Sequence, residues 1–162
     1  MDYLWTPWRF RYVSEAIRSA NCVFCEMAGA DPGDDSARFI LYRARFNFVF
    51  LNVFPYTTGH TLIAPYTHNA NLGDLDDGVL SEMIMLARKL EQALAAGYHA
   101  EGYNLGMNLG KCAGAGVPDH LHLHFLPRWT GDTNFMSVTA ETRVLPEDLR
   151  ATYDKLAGFF RA

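Results

Sequence analysis

Between Asp119 and Leu126 the chain reads Asp-His-Leu-His-Leu-His-Phe-Leu, so three of its six histidines fall within five residues and alternate with apolar side chains. A period of two marks a β-strand with one face in a core, because successive side chains leave opposite faces of the pleat. His120, His122 and His124 are therefore expected on one face of a strand at intervals of roughly 7 Å, with Leu121, Leu123 and Phe125 directed into the core. Any half-solvated strand alternates, but imidazole is a poor default for its polar face, and no Thr, Lys or Glu stands among the three. Two chemistries suit such a row. It could hold a catalytic zinc with an open position, or one imidazole could attack phosphorus and carry the transferred group as a phosphoramidate.

The rest of the chain supplies the frame. Its 162 residues suit one domain, and 49% hydrophobic against 20% charged residues excludes a largely disordered chain. Fourteen Lys and Arg against eighteen Asp and Glu leave a net charge of -4. That balance argues against a nucleic-acid partner, while a local cationic pocket could still take a small anion. No run reaches transmembrane length, and the N-terminus mixes aromatics with Arg9 and Arg11, so no membrane association is expected. Apolar stretches of strand length at 39–42, 46–53 and 61–65 read as an antiparallel meander, with further strands at 103–109 and 120–126. From about residue 76 to 96, Leu80, Met83, Ile84, Ala87, Leu90 and Leu94 recur at helical spacing, with Asp74, Asp76 and Asp77 at the start and Gly97 suited to the end. A second helix is expected from near Pro146, with Leu149, Tyr153, Leu156 and Phe160 on one face. The prediction is an α+β domain: a mostly antiparallel five-stranded sheet with one long helix and a C-terminal helix on one face. A single domain over 1–162 divides into an N-terminal segment (1–37) that ends in the acidic loop 28–37, a core (38–139) and the C-terminal helix (140–162).

The surroundings of the histidines favour phosphate chemistry. Ahead of them, residues 104–119 (NLGMNLGKCAGAGVPD) carry glycines at 106, 110, 114 and 116, which let backbone N–H groups approach an anion. No DxH or ExxH motif nearby completes an open metal centre. With HLHLHFL in place, the chain resembles the histidine triad (HIT) superfamily of nucleotide hydrolases and transferases. LNVFPYTTGHTLIAPYTH (51–68) is similar to the family's upstream strand pair. LPRW (126–129), WTPWR (5–9) and WTGDTNFMSV (129–138) extend the likeness over most of the chain, closest to the branch labelled diadenosine tetraphosphate hydrolases or phosphorylases.

The resemblance implies roles residue by residue, with His122, His124, His120 and His60 as the catalytic histidines. His122 matches the nucleophile, and His124 would hydrogen-bond the non-bridging oxygens of the attacked phosphate. His60 matches a histidine behind the triad that orients the nucleophile or borders the phosphate. Asn52, eight residues before His60, stands where the family holds ribose hydroxyls, unless it merely forms a turn beside Pro55. Asn108 resembles an amide near the scissile phosphate, a role Asn104 could exchange with it. Many members carry Gly-Gln-Ser-Val before the triad, whereas this chain has Ala115-Gly116-Val117-Pro118. A phosphate contact at Gly116 and Val117 must then come from backbone N–H groups, and Pro118 has none.

Cys22 and Cys25 form a CxxC that lacks a second cysteine pair. Three cysteines do not make a disulfide framework, and a reducing, cytoplasmic setting is expected. The resemblance implies the missing ligands: Cys22, Cys25, His68 and His120 would bind a structural zinc, with two buried free thiols as the alternative. It implies no organic cofactor, and a homodimer formed by extending the sheet and pairing the long helix. The expected function is hydrolysis of a dinucleoside polyphosphate of the diadenosine tetraphosphate type through a nucleotidyl-histidine. The alternatives are a phosphorylase, with Lys111 and Arg128 as candidate extra donors for phosphate, a zinc hydrolase that uses the triad as its metal centre, and a nucleotide-binding module with little turnover.

Overall fold

The computed structural model describes residues 22–132 and 147–161. The motif at 5–9, most of 129–138 and Pro146 lie outside the described residues. Five strands, β1 (Ile40–Arg43), β2 (Asn47–Leu51), β3 (Thr61–Pro65), β4 (Gly102–Gly106) and β5 (Leu123–Arg128), form one antiparallel sheet in the order β1-β2-β3-β5-β4. The first three make the expected meander. Helix α1 (Val23–Ala28) precedes the sheet, α2 (Asp77–Tyr98) connects β3 to β4, and α3 (Leu149–Arg161) follows β5. This is the α+β architecture predicted above.

All five residues of β2 are buried, because both faces of the sheet are covered. Val49 and Leu51 join Ile63, Leu123 and Phe125 in the main core beneath α2 and α3. Phe48 and Phe50 point the other way, into a smaller cluster with Leu62, Ala64 and Phe24 of α1. The two long helices thus share one face, while α1 covers the opposite one. Periodicity could not reveal α1, since six residues are too few to show a helical stripe. Arg43 fastens it in place: Nη1 donates to Ala28 O at 2.8 Å and Nη2 to Met27 O at 3.1 Å, while the guanidinium pairs with Asp35.

Several boundaries differ from the sequence reading. The buried stripe of α2 is Val79, Met83, Leu86, Ala87, Leu90, Ala93 and Leu94, and Ile84 is 59% exposed, one 100° step round from Met83. The helix passes Gly97 and stops at His99, whose φ of 50° is left-handed. Gly97 instead lets α3 pack closely, since a Cβ there would meet the Phe159 ring at 3.4 Å. β4 ends at Gly106 rather than 109, and β5 begins at Leu123 rather than at His120. The ladder with β3 stops at the Ile63–Leu123 pair because the next acceptor, Pro65 O, takes a bond from the His120 ring at 2.9 Å. The alternation of faces nevertheless holds through 121–125, and Leu121, Leu123 and Phe125 all lie in the core. Among the described residues no helix is long and apolar enough to cross a membrane.

Candidate active site

His60 reaches the sheet through a turn that only glycine permits. Gly59 has φ 77°, and a Cβ there would fall 3.0 Å from Leu94 Cδ2 and 3.1 Å from Pro127 Cγ. The chain passes tightly under α2 and sets His60 at the head of β3. There its Nε2 lies 2.9 Å from Nδ1 of His124 on β5. His122 stands on the other side of His124, with ring centroids 4.9 Å apart. Its Nδ1 is 2.9 Å from the backbone carbonyl of His120. A carbonyl can only accept, so Nδ1 carries the proton and Nε2 of His122 keeps a free lone pair.

The two rings open into a cavity of about 270 Å³. Val23, Phe24 and Met27 of α1 form one wall with Phe50 and Leu62, and Phe24 packs edge-on against His122 at 4.9 Å between centroids. Among the described residues, Asn52, Asn108, Gly116 and Val117 supply the polar lining and Arg38 the one cation, and no Asp or Glu lines it. Of the two candidate amides, Asn108 is on the cavity wall, whereas Asn104 Oδ1 accepts from Arg128 Nη1 at 2.7 Å on the β4 side. Asn52 Oδ1 accepts from Phe54 N–H at 2.9 Å, so this side chain shapes a turn as well as facing the cavity.

The glycine-rich loop presents backbone donors. In it, Gly110 and Gly114 have φ of 83° and 85°, and the N–H groups of Ala113, Gly114 and Ala115 bond back to Gly110 or Lys111. Those of Gly116 and Val117, on the cavity wall, have no partner among the described residues. Such paired donors suit an anion. Of the cations considered as extra donors, Arg128 is committed to Asp132 and Asn104.

His120 turns away from this cavity. Its Nδ1 lies 3.3 Å from Cys22 Sγ and 3.6 Å from Cys25 Sγ, and Cys25 Sγ is 3.3 Å from His68 Nδ1. All four ligand atoms are within 4.8 Å of one another. Around zinc, tetrahedral S–N edges of about 3.6 Å follow from the usual bond lengths, so the set fits a closed Cys2His2 site with little movement. The donor chemistry agrees. His120 donates Nε2–H to Pro65 O, which leaves Nδ1 as the lone pair facing the thiols. Burial, and then Cys22 beside it, raise the pKa of the Cys25 thiol, so Cys25 keeps its proton unless a cation displaces it.

Burial lowers the pKa of all the cavity imidazoles: His60 to about 3 and His124 to about 4, with neighbouring histidines adding to the shift, and His122 in the same direction against an opposing bond to His120 O. The native protein thus keeps these rings neutral where an unfolded chain, with histidine near 6.5, takes up protons. Stability present above pH 6.5 is therefore lost as pH falls toward the folded values. The urea midpoint is expected to decline steadily between pH 6.5 and 5, above the carboxylate range. A constant midpoint over that interval would mean that the buried rings are already charged in the native state.

Sequence reasoning missed Val23, Phe24, Met27, Arg38 and Tyr56. For α1 a signal existed in retrospect, since 23, 24 and 27 fall on one side of a helix that also carries the cysteine. Nothing local distinguishes Arg38 from a surface cation.

The HIT domain family model matches residues 35–131. AP-4-A phosphorylase of Mycobacterium tuberculosis (strain ATCC 25618 / H37Rv) is 33% identical, over 97% of this chain and 83% of its own length. Adenosine 5'-monophosphoramidase of Saccharomyces cerevisiae is 32% identical over 70% of this chain and 66% of its own. A zinc-bound histidine triad family protein from Mycobacterium smegmatis superposes with a TM-score of 0.69 at 29% identity, covering 90% of this chain and 95% of that one.

Proposed function

This chain belongs to the histidine triad (HIT) family, and on that premise we propose that it transfers a nucleotidyl group from a dinucleoside polyphosphate of the diadenosine tetraphosphate class through a covalent intermediate on His122. The observation that carries the reading is the tautomer of His122, whose Nδ1–H is held by a carbonyl while Nε2 keeps its lone pair beside the cavity. Nε2 attacks the phosphorus next to one nucleoside. The P–N bond forms as the bond from that phosphorus to its bridging oxygen breaks, and a nucleoside triphosphate leaves. His124 and the N–H groups of Gly116 and Val117 stabilise the charge on the attacked phosphoryl oxygens, with Asn108 beside them. The apolar wall of Val23, Phe24, Met27 and Phe50 takes the base, and Asn52 holds the ribose. An acceptor oxygen then attacks the same phosphorus, the P–N bond breaks, and His122 regains its lone pair.

The acceptor decides the products. Water releases AMP, and inorganic phosphate releases ADP. The sequence alone favours water, because Val117 replaces a serine hydroxyl that could have held a second anion. Two observations favour phosphate: similarity to a phosphorylase over nearly the whole chain, and, on the cavity wall where that hydroxyl is missing, two backbone donors that have no partner among the described residues. We therefore read the protein as a phosphorylase, with Arg38 rather than Arg128 as the cation near the incoming phosphate. With diadenosine tetraphosphate as substrate, ADP and ATP are expected in equal amounts, at a rate that rises with phosphate concentration to saturation. AMP and ATP at a rate indifferent to phosphate would restore the hydrolase reading, and nucleotide binding without either product would leave a binding module.

Zinc at Cys22, Cys25, His68 and His120 belongs to the same proposal, supported by the fit of the donor set and by the zinc-bound relative. There it would tie α1, and with it the base wall, to the residue preceding the nucleophile by two. A homodimer is part of the reading as well, for which the edge of β4 that pairs with no other described strand and the exposed Ile84 and Met85 of α2 are the faces proposed.

A further inference from the structure

His122 and His124 are two residues apart on one face, yet their ring protons are held in opposite places, and a chain of hydrogen bonds beginning at Asn52 accounts for it. Phe54 N–H donates to Asn52 Oδ1 at 2.9 Å, which settles which end of the amide is the oxygen. The nitrogen end, Nδ2, then faces Nδ1 of His60 at 3.2 Å. Tyr56 N–H points at the same Nδ1 from 3.1 Å. With two donors directed at it, that nitrogen has no room for a proton of its own. Burial keeps His60 neutral, with a pKa of about 3, so its single ring proton sits on Nε2. Nε2–H in turn donates to Nδ1 of His124 at 2.9 Å. His124 is also neutral near pH 7, with a pKa of about 4, so its own proton is on Nε2. The ring of Tyr56 lies over His124, nearly parallel to it, at 5.8 Å between centroids.

We propose that Asn52 is a positioning residue that acts through His60: with the Tyr56 backbone N–H it keeps Nδ1 of His60 unprotonated, and this locks His124 as a hydrogen-bond donor at Nε2 beside the lone pair of His122. The pair therefore offers a nucleophile and a donor at once without any protonation event. An Asx turn needs only the Asn52 oxygen, so the Nδ2 bond to His60 goes beyond what the turn requires. It also explains an amide at this position. A carboxylate would accept where Asn52 donates, and would draw the His60 proton to Nδ1. One hydrogen and one lone pair of the amide remain for a ribose, so binding and positioning are separable. The catalytic consequence rests on the nucleotidyl-transfer reading above, whereas the proton positions do not.

The test is ring-nitrogen NMR of the histidine-labelled protein as purified, without substrate, followed by kinetics. In the wild type, Nδ1 of His60 and His124 should resonate as unprotonated and Nε2 of both as protonated, with His122 the reverse. Asn52→Asp should place a proton on Nδ1 of His60 and remove the single tautomer of His124. The same variant should lower kcat about 10-fold or more while KM stays within a few fold, because a carboxylate still accepts from ribose hydroxyls. Asn52→Ala, which removes one of the two donors, should mix the His60 tautomers and draw their paired shifts together. A wild-type proton on Nδ1 of His124, or shifts that do not move in either variant, would overturn the proposal, as would a rise in KM with kcat unchanged in Asn52→Asp. The shifts are read without turnover, so they report on Asn52 even if the nucleotidyl-transfer reading fails, and that reading can stand if the shifts fail.

Discussion

Replacing His122 by alanine is expected to lower turnover by about 10^4-fold or more while leaving nucleotide affinity within a few fold. On the proposed mechanism the missing atom is the one that forms the bond to phosphorus, and no described neighbour can replace it. Nδ1 of His124 already accepts from His60, and its Nε2 carries a proton. His120 is turned toward the cysteines, and His60 is buried behind His124. His122→Gln preserves more of the packing against Phe24 and guards against a trivial folding defect, so both variants should fail alike in the first step with melting temperatures near that of the wild type. His124→Ala removes a charge-stabilising donor instead, and a smaller loss of about 10^2- to 10^3-fold is expected. A labelled nucleotide retained on the wild type and absent from His122→Gln would support the assignment directly. Near-normal turnover by either His122 variant would end it.

The second large effect concerns the cluster of Cys22, Cys25, His68 and His120. Protein purified without chelators should contain one zinc per chain, and Cys22→Ser or Cys25→Ser should lower the melting temperature by on the order of 10 °C, from a loss of roughly 3 kcal/mol or more. The functional signature should be unequal. α1 carries Val23, Phe24 and Met27 into the cavity wall, so loosening it raises KM. The chemical step depends on rings held by His120 O and His60, and kcat at saturating substrate should fall less. A metal that instead activates the reacting phosphate would produce the opposite split. Zinc-free protein that melts like the wild type would remove the structural-zinc reading and leave two part-buried thiols.

Much of the frame was legible because its signals are local. β3 falls on the expected residues, and the α2 stripe differs from expectation only in which side chains flank Met83, Ala87, Leu90 and Leu94. The misplaced ends of β4 and β5 have a non-local cause, since a strand ends where its partner's acceptors are taken, as Pro65 O is by His120. α1 escaped notice because a helix of six residues gains its stability from packing on Phe50 and from Arg43, both distant in sequence.

For the chemistry the division follows the same line. That three imidazoles share a face and three apolar residues share the other is determined by the sequence alone, since side-chain direction in an extended chain repeats every two residues whatever surrounds it. The tertiary structure alone decided what each imidazole does. His120 meets Cys22 across 98 positions, and His124 meets His60 across 64. Those partners determine which ring nitrogen carries the proton. A histidine's chemistry is the chemistry of that choice, and so three residues that look equivalent in the sequence become a ring facing two thiols, a free lone pair beside the cavity and a hydrogen-bond donor once the sheet and α1 bring their partners into place.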